Sequence, residues 1–193
     1  MSGSNLIIVV SAPSGAGKRT VLATIRETDR SLGYSVSTTS RPARHDEQEG
    51  RDYYFVSREE FTRLLEAGEF LEWAEVHGNL YGTRRQELDR IRAEGKDALL
   101  ELDVQGMRNV KKIAPESVAI FIQPPSMSEL ARRLRGRGTE AEEVVALRLK
   151  NAEHEMNASH EYDYVIVNRE VNEAVLELEG IIRNERAKAR ERA

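Results

Sequence analysis

Cysteine is absent from the 193-residue sequence. Disulfides, thiolate metal ligands and thiol nucleophiles all need cysteine, so its absence excludes the three together. Histidine is sparse, with four residues, and His154 and His160 lack the i, i+4 spacing of a zinc-binding helix. A chain without cysteine fits a reducing compartment, and we expect a cytoplasmic protein.

Long hydrophobic runs are also missing. No apolar stretch approaches the length of about 18 residues that a membrane-spanning helix requires. The first residues, Met1-Ser2-Gly3-Ser4, contain no basic segment followed by an apolar one, so the sequence predicts no secretory signal. We therefore expect no membrane partner.

The chain has no excess of positive charge. It carries 29 Lys and Arg against 33 Asp and Glu, a formal net charge of −4. Proteins that coat nucleic acids bind by releasing counterions along a basic face, so we expect no nucleic-acid partner. If the ligand is a polyanion, the positive charge that binds it must be local. The hydrophobic content of 39% suffices for a core, and the length predicts one domain with a smaller insertion.

A glycine-rich stretch follows the first hydrophobic run. Leu6-Ile7-Ile8-Val9-Val10 is typical of a strand buried on both faces, and apolar residues recur at helical spacing after Lys18. Gly15 and Gly17 let backbone N–H groups surround phosphate oxygens, the helix N-terminus adds positive partial charge, and Lys18 reaches the outer phosphates. The stretch predicts a nucleotide phosphate-binding loop (P-loop), formed by Ala12, Pro13, Ser14, Gly15, Ala16, Gly17, Lys18, Arg19 and Thr20.

The loop departs from the usual P-loop pattern at two positions. Ala12 stands in place of the first glycine, and Arg19 in place of the Ser or Thr whose hydroxyl contacts magnesium. Arginine has no acceptor atom and cannot ligate a metal, and Thr20 lies roughly 100° further round the helix. The alternative interpretation is a turn rich in small residues that only joins a strand to a helix.

Strand and helix patterns alternate along the rest of the chain. The sequence predicts strands at 34–39, 53–56, 70–76, 97–103, 117–122 and 164–168, helices between most of them, and a turn at 78–83. Ser57 and Ser126, each followed three residues later by Glu, predict two helix starts. This alternation predicts an α/β fold with a mostly parallel sheet covered by helices on both faces.

Three polar groups each have a structural and a functional interpretation. Arg41 and Arg44, followed by a tyrosine-rich strand, are either part of a solvated loop or a phosphate clamp. Glu101 and Asp103 lie at the C-terminal end of a buried strand, where they either face the edge at which ligands of open α/β sheets bind or merely leave the core. The arginine-rich turn at 132–139 is either a solvated helix end or a mobile lid over an anion.

Together these residues resemble the guanylate kinase family. The similarity covers nearly the whole chain in the family's order and includes the P-loop and residues 35–41, 47–56, 72–74, 81–83, 101–106, 133–134, 137–139 and 165–168. The resemblance implies a P-loop NTPase core with a parallel sheet covered by helices, an inserted GMP-binding subdomain and a lid. It puts the core at 1–36, 91–134 and 143–193, the insertion at 37–90 and the lid at 135–142.

The resemblance also implies an activity, the transfer of the ATP γ-phosphoryl group to GMP to give ADP and GDP, with Mg²⁺ accompanying ATP. The expected partners are the small-molecule substrates ATP and GMP, and both a monomer and a homodimer stay open. The alternative is a catalytically inactive guanylate-kinase-like module that binds protein partners. Intact Gly15, Gly17 and Lys18 favour the enzyme.

The matched positions imply residue roles. The residues expected to bind GMP are Ser37, Arg41, Arg44, Tyr53, Glu72, Tyr81, Thr83 and Asp103. The cations expected to stabilise phosphoryl transfer are Lys18, Arg41, Arg133, Arg137 and Arg148, and Asn168 joins the P-loop residues at ATP. Because Arg19 cannot ligate magnesium, we expect phosphates and water to hold the ion, with Glu101 or Asp103 near its waters.

Overall fold

A computed structural model describes residues 5–76, 78–136 and 141–192. The helices and strands follow in the order β1 (Ile7–Ser11), α1 (Lys18–Thr28), β2 (Leu32–Tyr34), β3 (Thr38–Thr39), β4 (Tyr54–Phe55), α2 (Arg58–Glu66), β5 (Phe70–Val76), β6 (Asn79–Arg84), α3 (Arg85–Ala93), β7 (Asp97–Glu101), α4 (Val104–Ile113), β8 (Val118–Gln123), α5 (Met127–Arg135), α6 (Glu142–Asn157), β9 (Tyr164–Val167) and α7 (Val171–Arg192). This alternation, with parallel strand pairs, confirms the α/β class.

The chain divides into two compact units. The first unit consists of Met1–Ile8 and Ser31–Ser117, and the second of Val9–Arg30 and Val118–Ala193. Strand β1 contributes residues to both, and the strand order is β2-β7-β1 in the first unit and β1-β8-β9 in the second. The predicted insertion at 37–90 and lid at 135–142 remain predictions.

The first unit also contains a four-stranded sheet in the order β4-β3-β6-β5. Strand β6 is antiparallel to both neighbours, with Tyr81 opposite Thr39 of β3 and Thr83 opposite Glu72 of β5. Successive side chains of a strand point to opposite faces, so Tyr81 and Thr83 lie on the same face. The register therefore brings a phenol, a hydroxyl and a carboxylate to one surface.

A small apolar core holds α2 against this sheet. Phe61 of α2 stacks on Phe70 of β5 with ring centroids 4.3 Å apart, and leucines of α2 and β6 complete the cluster. Helix α2 begins where the capping box predicts, because the Ser57 hydroxyl accepts a hydrogen bond from the backbone N–H of Glu60 at 3.1 Å. The cap and the buried face together fix the helix on the sheet.

The second unit contains the last three residues of β1, from Val9 to Ser11. All five residues of β1 are buried, as the uniform aliphatic run predicts. Strands β8 and β9 are parallel, and α5 packs against α6 through Leu130, Leu134, Val145 and Ala152. Among the described residues, no helix has both the length and the apolar character of a membrane span.

Two sequence-based predictions of secondary structure are wrong. The strand predicted at 34–39 is two short strands, because the backbone N–H of Val36 donates to the buried carboxylate of Glu87 at 3.0 Å. The turn predicted at 78–83 is mostly strand β6, since Leu80 and Gly82 are buried and paired with β5. Only Gly78, with φ of 77°, has a turn conformation there. In both places tertiary contacts override the local composition.

Candidate functional site

Residues 12–17 of the second unit form a tight loop between β1 and α1. Gly15 and Gly17 adopt φ values of 91° and 88°, in the left-handed region that other residues rarely enter. The backbone N–H of Ala16 donates to the carbonyl of Pro13 at 3.1 Å and closes the turn. Lys18 then begins α1. A glycine-rich turn that leads directly into the N-terminus of a helix can bind an anion through its backbone N–H groups.

Packing beneath the loop also requires glycine. A Cβ on Gly15 would lie 2.8 Å from Leu134 and 3.0 Å from Leu130 of α5, and one on Gly17 would collide with the side-chain amide nitrogen of Asn168. That amide is buried and donates to the carbonyl of Ala16 at 2.7 Å. Asn168, predicted at the ATP site, therefore holds the loop backbone in place.

Two arginines of the second unit contact either the P-loop itself or Asn168, the residue that supports the loop. Arg148 donates to the hydroxyl of Ser14 at 3.4 Å. Arg133 donates to the carbonyl of Asn168 at 3.1 Å and to the carboxylate of Glu129 at 2.8 Å. Hydrogen bonds from Arg132 and Arg133 lower the pKa of Glu129 to about 2, so this carboxylate stays ionised.

The positively charged side chains expected to stabilise phosphoryl transfer are divided between the two units. Lys18, Arg133 and Arg148 belong to the second unit, and Arg41 belongs to the first. Arg137 lies outside the described residues.

The arginine loop of the first unit is an ordered cluster. Arg41 Nη2 donates to both carboxylate oxygens of Glu47, at 2.8 and 3.0 Å, and its Nε donates to the Tyr81 hydroxyl at 3.3 Å. Its guanidinium carbon lies 5.5 Å from the centre of the Tyr53 ring. The hydrogen bond between the two side chains raises the pKa of Arg41 and lowers that of Glu47. Three of the residues expected at the GMP phosphate are therefore in mutual contact.

Arg44, the fourth residue of the expected clamp, is exposed. Its backbone N–H donates to the Glu47 carboxylate at 2.9 Å, which ties Arg44 to the same turn. Tyr53 lies 5.9 Å from Tyr81 between ring centroids. Burial, helped by the charge of Glu101, raises the pKa of Tyr53 to about 12, so its phenol remains a hydrogen-bond donor at neutral pH.

Two carboxylates meet where β5 faces the start of α4. Glu72 is only 5% exposed, and its Oε1 accepts the backbone N–H of Thr83 at 3.0 Å. Burial raises the pKa of Glu72 to about 7, against the opposing hydrogen bonds from Thr83, and the charge of Asp103 adds to the rise. Asp103 caps α4 by accepting the backbone N–H of Gly106 at 2.7 Å. The expected base-binding residues Glu72, Thr83 and Asp103 are thus brought together.

Ser37 lies just before β3 and is half-buried. Its carbonyl accepts the backbone N–H of Tyr54 at 2.9 Å. All eight residues expected to bind GMP belong to the first unit, and the residues expected to bind ATP belong to the second.

A family model described as guanylate kinase matches residues 4–185. The chain belongs to the guanylate kinase family. A guanylate kinase from Polaromonas sp. is 47% identical over 182 residues, which cover 94% of this chain and 88% of that protein. A guanylate kinase from Thermotoga maritima is 44% identical over 182 residues, with the same coverage of 94% and 88%. The crystal structure of guanylate kinase from Anaplasma phagocytophilum aligns with a TM-score of 0.76 at 40% identity, covering 96% of this chain and 88% of that one.

This guanylate kinase family member contains two functional candidates that the residue patterns did not single out. Glu47 is the direct partner of Arg41, and the signal for it is a carboxylate three residues after Arg44. Glu87 is 2% exposed and accepts hydrogen bonds from Arg90 and from the backbone of Val36, one residue before Ser37. The signal for Glu87 is weak, because a glutamate on a polar helix is ordinarily solvated.

In this guanylate kinase family member Arg19 occupies the position at which the usual P-loop pattern has Ser or Thr. Arg19 and Thr20 are both exposed on the first turn of α1. Among the described residues, no group of three or more His, Cys, Asp or Glu side chains is arranged to hold a metal ion.

Proposed function

We propose that this protein transfers the γ-phosphoryl group of ATP to GMP, giving ADP and GDP, with ATP bound by the P-loop of the second unit and GMP by the first. The observation that carries the proposal is the buried Glu72 beside Asp103, on the same sheet surface as Tyr81, which accepts a hydrogen bond from Arg41. Family membership supports the reaction, and the intact phosphate loop supports an enzyme over the inactive protein-binding module.

Guanine is selected by hydrogen-bond polarity. Its N1–H and 2-amino groups are adjacent donors, and the ionised carboxylate of Glu72 accepts from both. Adenine has an acceptor at N1 and no 2-amino group, so it would leave a buried carboxylate facing a lone pair. Sites built on such hydrogen bonds reject analogues that lack them by up to about 10⁴-fold. The Thr83 backbone N–H, which holds one oxygen of Glu72, orients the carboxylate for this contact.

The GMP phosphate binds to Arg41, Arg44, Tyr53 and Tyr81. Guanidinium groups match phosphate oxygens geometrically, and neutral phenols donate to them. Arg41 is already placed by Glu47 and Tyr81, so little side-chain entropy is lost when the phosphate arrives. Glu47 thus acts as a positioning residue for Arg41.

Phosphoryl transfer needs no nucleophile from the protein. An oxygen of the GMP phosphate forms the new bond to the γ-phosphorus, and the bond from that phosphorus to the bridging oxygen of ADP breaks. The acceptor oxygen is already anionic, so no proton has to be removed. The obstacle is repulsion between two polyanions, which Lys18, Arg41, Arg133 and Arg148 reduce, with Arg137 as a further proposed cation.

Magnesium is the proposed cofactor, held mainly by ATP oxygens and water. When bound with ATP, the ion would supply positive charge that offsets the negative charge of the phosphates. Arg19 supplies no ligand because a guanidinium has no acceptor atom. We further propose that the protein works in the cytoplasm, as the lack of cysteine suggests. A monomer and a homodimer are equally compatible with the proposal.

A coupled assay of ADP release tests the function directly. The purified protein is given ATP, Mg²⁺ and one of GMP, AMP, UMP or CMP. We expect rapid ADP release with GMP and rates at least about a hundredfold lower with the others. Failure to consume GMP, or equal use of AMP, contradicts the proposal. Absence of any turnover together with retained folding would favour the protein-binding module.

A further inference from the structure

Gly106 lies between the two carboxylates of the proposed base site. It is the third residue of α4, it is buried, and its backbone N–H donates to Asp103. A Cβ at this position would lie 3.1 Å from Glu72 Oε2 and 3.3 Å from Asp103 Oδ1. Glycine has only a hydrogen atom in the space that this Cβ would occupy.

The backbone of α4 does not explain this glycine. Gly106 does not adopt a positive φ, so its helical conformation is open to any residue. Glycine within a helix also weakens that helix relative to alanine. A glycine that lowers helix stability without a backbone requirement indicates a need for space.

The surroundings leave little freedom to absorb a methyl group. Glu72 Oε1 is held by the backbone N–H of Thr83, so the carboxylate responds mainly by moving Oε2. On the other side, the Cβ of Leu102 would lie 3.1 Å from the new methyl group and limits a shift in that direction. Contacts at 3.1–3.3 Å require displacements of a few tenths of an ångström. Such displacements fall on the atoms that must accept hydrogen bonds from guanine.

We propose that Gly106 is a specificity-determining residue, whose lack of a side chain lets Glu72 and Asp103 approach each other closely enough to bind the N1–H and 2-amino donors of one guanine base. The inference rests on the proposed function and deepens it. Gly106 acts through the two carboxylates, so it is a positioning residue and makes no hydrogen bond of its own to the base.

The test compares G106A with the matched control G180A. Gly180 is also a helical glycine, in α7, and its nearest neighbour to a new Cβ is a side-chain nitrogen of Arg183 at 4.0 Å. Both variants gain helix propensity, and only G106A crowds the carboxylates. The measurements are KM and kcat for GMP and for inosine monophosphate, which lacks the 2-amino group, together with KM for ATP and the melting temperature.

We expect G106A to raise KM for GMP about tenfold or more and KM for inosine monophosphate by a smaller factor, while KM for ATP and the melting temperature stay close to those of G180A. Unchanged GMP kinetics, equal loss for both acceptors, or a parallel loss of ATP binding and thermal stability would overturn the inference. Inactivity of the wild-type protein with GMP would instead refute the proposed function.

A double-mutant cycle with E72A separates the crowding of Glu72 from other effects. Without the Glu72 carboxylate a methyl group at 106 loses one of its close contacts, and those with Leu102 and Asp103 remain. G106A is therefore expected to weaken equilibrium GMP binding by a smaller factor in the E72A background than in the wild-type background. The same factor in both backgrounds would show that Gly106 does not act through Glu72.

Discussion

Glu72 combines a proposed role in guanine recognition with a pKa near neutrality. Burial stabilises its neutral form and raises its pKa to about 7, whereas recognition of guanine donors requires the ionised form. At neutral pH the free protein therefore contains both forms. If Glu72 binds guanine as proposed, GMP binding favours the ionised form and releases protons.

The first prediction concerns the pH dependence of GMP use. Because the ionised fraction of a group with a pKa near 7 rises about tenfold between pH 6 and pH 8, kcat/KM for GMP should rise by a similar factor. The GMP phosphate also titrates, near pH 6, so E72Q serves as the reference. E72Q should be less active and should lose the component of the profile near pH 7. An identical profile in both proteins would exclude Glu72 from this titration.

Glu47 holds the side chain of Arg41 in place. It accepts hydrogen bonds from the Arg41 side chain and from the Arg44 backbone, and it is itself mostly shielded from solvent. Hydrogen bonds to charged groups contribute about 1.5–3 kcal/mol, enough to hold a long arginine in one geometry.

The second prediction is that E47A raises KM for GMP about tenfold and leaves KM for ATP unchanged, since Arg41 loses its anchor. Steady-state kinetics measure both values. The control is E66A, at an exposed position of α2 outside the arginine loop, which should behave as wild type. If E47A instead lowers KM for GMP, Glu47 competes with the phosphate for Arg41 and does not position it.

At the scale of elements, the P-loop depends on α5. Gly15 needs both a positive φ and room for Leu130 and Leu134 behind it. Gly68, just after α2, has φ of 71° but no atom within 4 Å of a new Cβ. The two glycines therefore share the backbone requirement and differ in packing.

The third prediction uses this difference. G68A should cost about 1–2 kcal/mol in free energy of unfolding through its left-handed conformation alone. G15A should cost a further 1–3 kcal/mol or so from overpacking against α5, and should abolish ATP binding. Denaturant titration and nucleotide-binding measurements provide both quantities. Equal destabilisation by the two substitutions would show that Leu130 and Leu134 of α5 move aside with no cost in the free energy of unfolding.

Over the whole molecule, each nucleotide should stabilise the folded chain by binding it in preference to the unfolded chain. The fourth prediction is that GMP at about 100 times its dissociation constant adds about 2.7 kcal/mol, which raises the melting temperature by about 5–10 °C. AMP at the same concentration should give a much smaller shift. Equal shifts with GMP and AMP would show that the first unit does not discriminate between the bases.

Local signals in the sequence correctly predicted the P-loop stretch, the buried strand before it and the two capped helix starts at Ser57 and Ser126. Each depends on residues close together in the chain. The capping bonds, for example, join a serine to the third residue after it, as at 126 and 129. The family pattern then supplied the candidate residues at the two nucleotide sites.

The sequence by itself thus determined the α/β class, the phosphate loop and the chemistry of the candidate residues, because these follow from composition and short spacings. Only the tertiary structure decided that residues 79–84 form a strand. It decided too that the backbone N–H of Val36 donates to the carboxylate of Glu87, 51 residues further along the chain, so that the strand predicted at 34–39 is interrupted there. It also decided that Glu47 holds Arg41, that Thr83 orients Glu72, and that Gly106 leaves room for two carboxylates. These features depend on burial and on which distant atoms meet, and neither is contained in the local pattern.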